Sequence, residues 1–466
     1  MKRKEEFIQL LADQIRCKRA REDVVREIEA HISDQAQEYE AEGMTPEEAL
    51  AEAVEQMGDP VAVGVELDRI HRPRMDWGMI VMAVLLSLGG LAVQCAIGNI
   101  TVGSAAFERQ CLFMGIGFCL MLGICFLDYS FIGKYAKPLF ILYAAGVLFY
   151  MTQFSYTVNG MHRGAILPLY LFVPLYAGIL YQYRKTGYAG LIKSIGFLIP
   201  PVWLAWFGIP SLSTAIQLFL ICGGMLLFAV AKGWFSVKRK QTILALILVG
   251  VILPLVGGAA GFAFWLADYQ KMRILAFLNR GAYADGAGYY YQQIADVLSR
   301  VNWIGGAANA EEIVSQTARG EVSLFSLVAL YGSLVGFLVV FAISAMVIHA
   351  FLISMKQRNQ LGLMVGMGCT MVLGVQTVIG TAVNFGCLPI TTVTIPFLTG
   401  GGTAAIVYSI LIGLLLSVSR NRDVLSDRLY RPKWRLRLER TEGTKKTGEW
   451  SFRVACREMK QLWRNS

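Results

Sequence analysis

Apolar residues in this chain gather into ten long runs, separated by short polar intervals and one long one. A helix needs about 20 mostly apolar residues to cross the hydrocarbon core of a bilayer. The runs predict spans at 77–97, 111–130, 137–155, 165–182, 190–207, 213–232, 241–266, 322–353, 360–385 and 397–417. The seventh, eighth and ninth are long enough to tilt or to run past the bilayer. Pro200 and Pro201 interrupt the fifth, and proline inside a span is tolerated where neighbouring helices satisfy the freed carbonyls. The expected fold class is all-α: a polytopic membrane protein of about ten transmembrane helices.

Polar sequence flanks this body on both sides. Residues 1–74 read as a small helical module. One helix is expected from about Arg21 to Glu40. Thr45-Pro46-Glu47-Glu48 then has the form of a capping box with proline at the first helical position. The helix it opens runs from Ala49 to Met57, and Gly58-Asp59-Pro60 stops it. The first 70 residues are polar and charged, so the expectation is no cleavable leader, with the first apolar run directing insertion. The chain thus divides into a prefix module at 1–74, a membrane body at 77–417 with one long loop at 267–321, and a tail at 418–466.

Composition agrees. Of 466 residues, 55% are hydrophobic and 16% charged, against roughly 45–50% and 25% in soluble domains. That excludes one soluble domain, a disordered chain, a collagen and a disulfide-rich secreted fold. Charge is unevenly placed: residues 1–76 hold 11 Lys/Arg against 19 Asp/Glu, and residues 418–466 hold 14 against 6. The positive-inside rule orients the body. With both termini in the cytoplasm, the inside loops carry Lys134, Lys137, Arg184, Lys185, Lys193, Lys232, Lys238, Arg239, Lys240, Lys356 and Arg358. The short outside loops carry only Arg109 and Arg163. The long loop at 267–321 is then external and holds Asp268, Asp285, Asp296, Glu311, Glu312 and Glu321. The body's other two acids, Glu108 and Asp128, sit at span ends. No carboxylate falls mid-membrane, which argues against a proton-relay transporter and puts acid–base chemistry on the outer face.

Soluble-enzyme signatures are missing from the sequence. Gly400-Gly401-Gly402 lacks the following Lys-Ser/Thr of a phosphate loop. The four histidines have no metal spacing, and the nine cysteines contain no CxxC, so they read as small buried apolar residues and no metal site is expected. The Arg-rich tail, with Trp434, Leu436, Leu438, Phe452 and Trp463, reads either as an amphipathic segment at an anionic lipid surface or as a solvated positive-inside tail. Tethered beside a bilayer, it favours lipid over nucleic acid as partner.

Two junctions stand out. Between the third and fourth spans, Val158-Asn159-Gly160-Met161-His162-Arg163 is a turn sequence that presents Arg163 at the membrane surface, where a guanidinium can fork onto phosphate oxygens. Between the ninth and tenth, the segment from Cys387 to Thr403 contains Pro389, Pro396 and Gly400-Gly401-Gly402. Two prolines break helicity there, and glycines let backbone approach backbone or ligand closely. Gln376 and Asn384, eight residues apart on the ninth span, lie near one helix face.

These motifs resemble the SEDS family, the FtsW/RodA/SpoVE proteins of cell-wall synthesis, over about residues 77–420. The similarity rests on Asn159-Gly160 with Arg163, on Leu388 to Thr391 and Ile395 to Thr403, and on Gln376 with Asn384. It also rests on Tyr269 to Asn279, on Gly288 to Gln293 and on Phe107-Glu108-Arg109-Gln110. Residues 1–74 resemble the permease-prefix (HAAS-type) domain through Glu27 to Ile32, Gly43 to Ala49 and Met57-Gly58-Asp59-Pro60. That resemblance implies a cytoplasmic adaptor or sensor and a Gram-positive, Firmicute-like bacterium as source.

The SEDS resemblance implies a peptidoglycan glycosyltransferase that polymerises lipid II, the undecaprenyl-linked precursor, at the outer face of the cell membrane. The process would be division, shape or sporulation. It implies a catalytic carboxylate at Glu321, eleven residues before Gly332, where the family carries Asp. It further implies substrate contacts from Asn159, Arg163, Arg273, Gln292, Gln376, Asn384, Pro389, Pro396, Thr399, Gly400, Gly401 and Thr403, and a class B penicillin-binding transpeptidase as partner. It fixes no cofactor and leaves a divalent cation open. The chain departs from the family at Gly164, where Trp is usual, and at Ser211, where an acid is usual. Two alternatives stay open: a non-catalytic scaffold for the transpeptidase, and a flippase for the lipid-linked precursor.

Overall fold

The protein is described from a computed structural model, which covers residues 2–101, 104–154, 157–158, 161–266, 268–283, 286, 288–317, 323–389, 391, 393–422, 434–441 and 449–456. Four helices open the chain: α1 (Lys2–Gln14), α2 (Lys18–Ala41), α3 (Pro46–Gln56) and α4 (Pro60–Ile70). They share one apolar core, against which Val63 and Leu67 of α4 pack partly buried. Phe7 and Leu11 of α1, with Ile15 just after it, meet Ala20, Val24, Ile32 and Ala36 of α2 and Ala53 of α3. These residues recur at spacings of three to four, the period of one helix face. The capping box opens α3 as expected: the Thr45 hydroxyl accepts the Glu48 N–H, and the Glu48 carboxylate takes the Thr45 N–H and hydroxyl. Asp59 both follows α3 and starts α4, its carboxylate accepting the Val61 and Ala62 N–H groups. Helices α1 and α4 were not expected. Charge masks the first, and the second is only 11 residues long.

The body follows: α5 (Trp77–Thr101), α6 (Ser104–Phe126), the short α7 (Ser130–Lys134), α8 (Ala136–Gln153), α9 (Phe172–Gln182), α10 (Gly187–Trp203), α11 (Leu212–Ala231) and α12 (Arg239–Ala260). Three helices then fill the interval expected as a loop: α13 (Asp268–Leu278), α14 (Tyr289–Arg300) and α15 (Ala310–Thr317). The last four are α16 (Ser323–Tyr331), α17 (Ser333–Met355), α18 (Gln360–Asn384) and α19 (Gly402–Arg420). Among the described residues, nine helices are long and apolar enough to cross a membrane. They correspond to nine of the ten expected runs. The tenth, 137–155, is the 18-residue α8, whose ends carry Lys137 and Gln153 and shorten its apolar stretch. The fifth run stays helical through Pro200 and Pro201 and closes in a π-helical turn at Leu204–Gly208.

The eighth run is corrected. It is not one helix over 322–353 but two, α16 and α17, broken at Gly332, whose φ of 99° only glycine adopts without strain. From Ser323 to Ala329 every residue of α16 is buried. It is therefore a short helix held inside the protein, and only α17 has the length and surface of a span. Helix α18 lies at the centre, packed by α9, α11, α17 and α19. Helix α12 lies at the edge, packed chiefly on α11, with none of its apolar window buried. Cysteines follow the same division. Cys125, Cys222 and Cys369 are buried, while Cys119 and Cys387 are exposed. An apolar run does not distinguish a core-facing position from a lipid-facing one.

Where the prefix meets the body, residues 74–76 are clasped. The Arg74 N–H donates to the Arg420 carbonyl. The Asp76 carboxylate caps α5 through the Met79 N–H at 2.9 Å and lies 3.2 Å from His349 Nε2 on α17. In the tail, which forms a separate unit from residue 428, β3 (Trp434–Thr441) pairs antiparallel with β4 (Glu449–Cys456). That hairpin was not expected.

Candidate active site

At the end of the bundle opposite Asp76 and His349, four segments converge on a cavity of about 230 Å³. The first is the turn after α8. Its strands β1 (Thr157–Val158) and β2 (Met161–His162) pair antiparallel, and Met161 reaches the cavity. Arg163 follows, half-buried at the start of a 3₁₀ turn. The second is Pro210-Ser211-Leu212-Ser213, leading into α11. The third is α13, through Gln270 and Arg273. The fourth is the irregular segment after α18, through Pro389 and Thr391.

The cavity's chemistry follows from these residues. Gln270 Nε2 donates to the Pro210 carbonyl at 3.3 Å, tying α13 to the start of α11. The Ser211 hydroxyl bonds Thr214 Oγ1 at 2.7 Å. Arg273 supplies a cation, Ser211, Ser213 and Thr391 supply hydroxyls, and Leu212, Ile216, Leu266 and Ile274 supply an apolar wall. No carboxylate is among these lining residues. Such a site suits a ligand with an anionic group, several hydroxyls and a hydrocarbon portion.

The glycine-rich segment sits differently. The Thr399 hydroxyl accepts the Ile395 N–H at 2.9 Å, a bond within the segment itself. Gln94 Nε2 on α5 donates to the Leu398 carbonyl at 2.6 Å, and Gln110 Oε1 on α6 accepts the Gly401 N–H at 2.9 Å. Tyr150 on α8 lies 3.4 Å, oxygen to oxygen, from Thr403. A Cβ on Gly400 would come within 2.6 Å of Gln94, one on Gly402 within 2.5 Å of Phe113, and one on Gly90 within 2.0 Å of the Phe397 carbonyl. Gly90, Gly400 and Gly402 thus serve close packing of α5 and α6 on the segment. Phe397 is held at a φ of 67°, a conformation that costs a non-glycine residue roughly 1–3 kcal/mol. Three helices pin the segment tightly enough to sustain it. Pro396 is buried within the segment.

Asn384 has a defined structural task. It is fully buried. Its Oδ1 accepts the Leu324 and Phe325 N–H groups, both at 3.1 Å, and its Nδ2 donates to the Gly380 carbonyl at 2.8 Å. The first turn of α16 is buried, and this side chain caps it. Gln376 is buried two turns earlier on α18. Gln292 is exposed on α14 and does not line the cavity. Asn159 and Glu321 lie outside the described residues, although the first residue of α16 follows Glu321 by two.

Several residues of this region were not singled out from sequence as site residues. Ser213 and Gln270 line the cavity, and Gln94 and Tyr150 hold the glycine-rich segment. Arg280 Nη2 donates to the Gly386 carbonyl at 2.8 Å, and its guanidinium lies over the rings of Phe277 and Tyr291. It thereby joins α13 to the end of α18. The available signal was a polar side chain inside an apolar run, as at Gln94. Among the described residues, no group of three or more His, Cys, Asp or Glu side chains is placed to hold a metal ion.

Helix order, cavity and motifs define a class, the polytopic all-α membrane proteins whose site is assembled from inter-span segments at one end. The family model for the FtsW/RodA/SpoVE cell cycle proteins matches residues 76–424, well over half of the sequence, and the chain belongs to that family. A second family model, HAAS, matches residues 6–64. Among relatives, the probable peptidoglycan glycosyltransferase FtsW of Nitrosococcus halophilus strain Nc4 is 25% identical over 368 residues, covering 72% of this chain and 91% of that protein. The peptidoglycan glycosyltransferase MrdB of Escherichia coli K12 is 26% identical over 223 residues, covering 47% of this chain and 57% of that protein. Among solved structures, a chain from "Structural coordination of polymerization and crosslinking by a peptidoglycan synthase complex" superposes with a TM-score of 0.57 at 21% identity. It covers 75% of this chain and 98% of that one, and shows the shared fold.

Proposed function

We propose that this protein is a peptidoglycan glycosyltransferase that polymerises lipid II at the outer face of the cytoplasmic membrane. The observation that carries the reading is the convergence of four segments on one cavity, with a cation, hydroxyls and an apolar wall together. Lipid II offers a pyrophosphate, sugars and a polyprenyl chain to match. In the proposed reaction, Glu321 takes the proton from the attacking sugar hydroxyl. That oxygen forms a bond to the anomeric carbon of the second substrate, and the bond from that carbon to the pyrophosphate breaks. Undecaprenyl pyrophosphate leaves as the anion, facing Arg273 and Arg163. The names of the relatives support this activity.

In this reading both termini are cytoplasmic and the cavity faces outward. The partner is a class B penicillin-binding transpeptidase, supported by the coupling of polymerization and crosslinking in the similar complex. The basic tail meets anionic lipids of the inner leaflet, and the prefix regulates from the cytoplasm as a separate module. A second reading, a non-catalytic scaffold, is favoured by Ser211, a hydroxyl where the family usually carries an acid, with no carboxylate among the described residues that line the cavity.

The test is the purified protein with lipid II, supplied with neither ATP nor an ion gradient. The account expects glycan strands. A folded protein that yields none supports the scaffold, and lipid II translocation in sealed vesicles without polymer supports a flippase.

A further inference from the structure

The segment joining α14 to α15 is built into the hinge between α16 and α17. The Asn302 carbonyl accepts the Ser333 N–H at 3.1 Å, and the Trp303 carbonyl accepts the Leu334 N–H at 3.0 Å, both in the first turn of α17. On the other side, the Gly305 N–H donates to the Tyr331 carbonyl at 3.2 Å and the Ala307 N–H to the Ala329 carbonyl at 2.8 Å, at the end of α16. A Cβ on Gly306 would lie 2.4 Å from the Leu330 carbonyl oxygen, and one on Gly332 2.8 Å from that of Trp303. Residues 302–307 are thus fixed in place. Yet Trp303 is 73% exposed and Ile304 79%. A rigidly presented pair of large apolar side chains marks a contact surface.

Its position says which surface. Helix α17 is long and apolar enough to span the membrane, and Phe337 and Phe341, one and two turns in, are exposed with stacked rings. That face meets hydrocarbon. Trp303 is hydrogen-bonded to the first turn of the same helix and so sits at the head of the span, the depth at which tryptophan is favoured in bilayers. Residues 301–310 contain no charged side chain to resist insertion.

We infer that Trp303 and Ile304 form an interfacial anchor. The pair inserts into the leaflet at the cavity end of the bundle and holds the α16–α17 hinge at a set depth. The occupant is lipid, continuous with the lipid-facing surface of α17. The inference is independent of the chemistry proposed above.

The test uses the full chain in vesicles of lipids brominated high on the acyl chain, with Trp303→Phe as comparison. The chain holds nine tryptophans, so the Trp303 component is the emission difference between the two proteins. The anchor predicts that brominated lipid quenches this component severalfold more than aqueous iodide does, with unchanged thermal stability. Adding Ile304→Trp to Trp303→Phe should restore a component quenched in the same way. A component quenched by iodide and untouched by bromine would overturn the inference and place the pair in water. A component insensitive to both would also overturn it.

Discussion

Asn384 shows how a polar side chain in a span can be read from sequence as important while its structural partners stay hidden. Its spacing from Gln376 placed both near one face of α18, and that much was legible. Its partners were not, because Leu324 and Phe325 are about 60 residues earlier and only the fold brings their amides to it. Leaving a buried N–H unbonded costs about 1–3 kcal/mol. Asn384→Leu should therefore lower the thermal unfolding temperature by several degrees, while Asn384→Asp, which keeps the acceptor, should retain most of it. Differential scanning fluorimetry in detergent decides; equal losses in both variants would argue against the cap. Arg273 was singled out from sequence by resemblance, and it lines the cavity.

At the level of elements, apolar run length located nine spans, because hydrocarbon thickness imposes it directly. It failed where a break depends on one residue. Gly332 lies inside an apolar run, and only its backbone conformation separates α16 from α17. The start of the prefix helix α3 was legible at Pro46, because a capping box is a local code, while its end falls at Gln56 and not at the expected Met57. Its Glu48 carboxyl is held below the ordinary value by the Thr45 side-chain hydrogen bond and then by the Thr45 backbone. A depressed folded value contributes stability that is present above the unfolded value, about 4.3, and lost as pH falls through the folded one. A peptide of residues 1–74 should be helical by circular dichroism at neutral pH and lose helicity below about pH 4. In Thr45→Val that acid-sensitive loss should shrink. A peptide that is random coil at neutral pH would remove the prefix as an independent module.

At the level of the whole molecule, charge asymmetry is the sole basis for sidedness, and it makes a direct prediction. Ala308 and Ser236 are both exposed and lie on opposite sides in the proposed orientation. An impermeant thiol reagent added outside cells should label Ala308→Cys and spare Ser236→Cys; the reverse would invert every role assigned here. The central claim is that the chain polymerises lipid II and that Glu321 is the base. General acid–base catalysis contributes roughly 10²–10⁴-fold. The most direct measurement is the rate of lipid II consumption by purified wild type and Glu321→Gln at matched thermal stability, with Glu321→Asp alongside. The account predicts a loss of at least about 100-fold in the Gln variant and retained activity in the Asp variant. Equal rates in wild type and Glu321→Gln would contradict it.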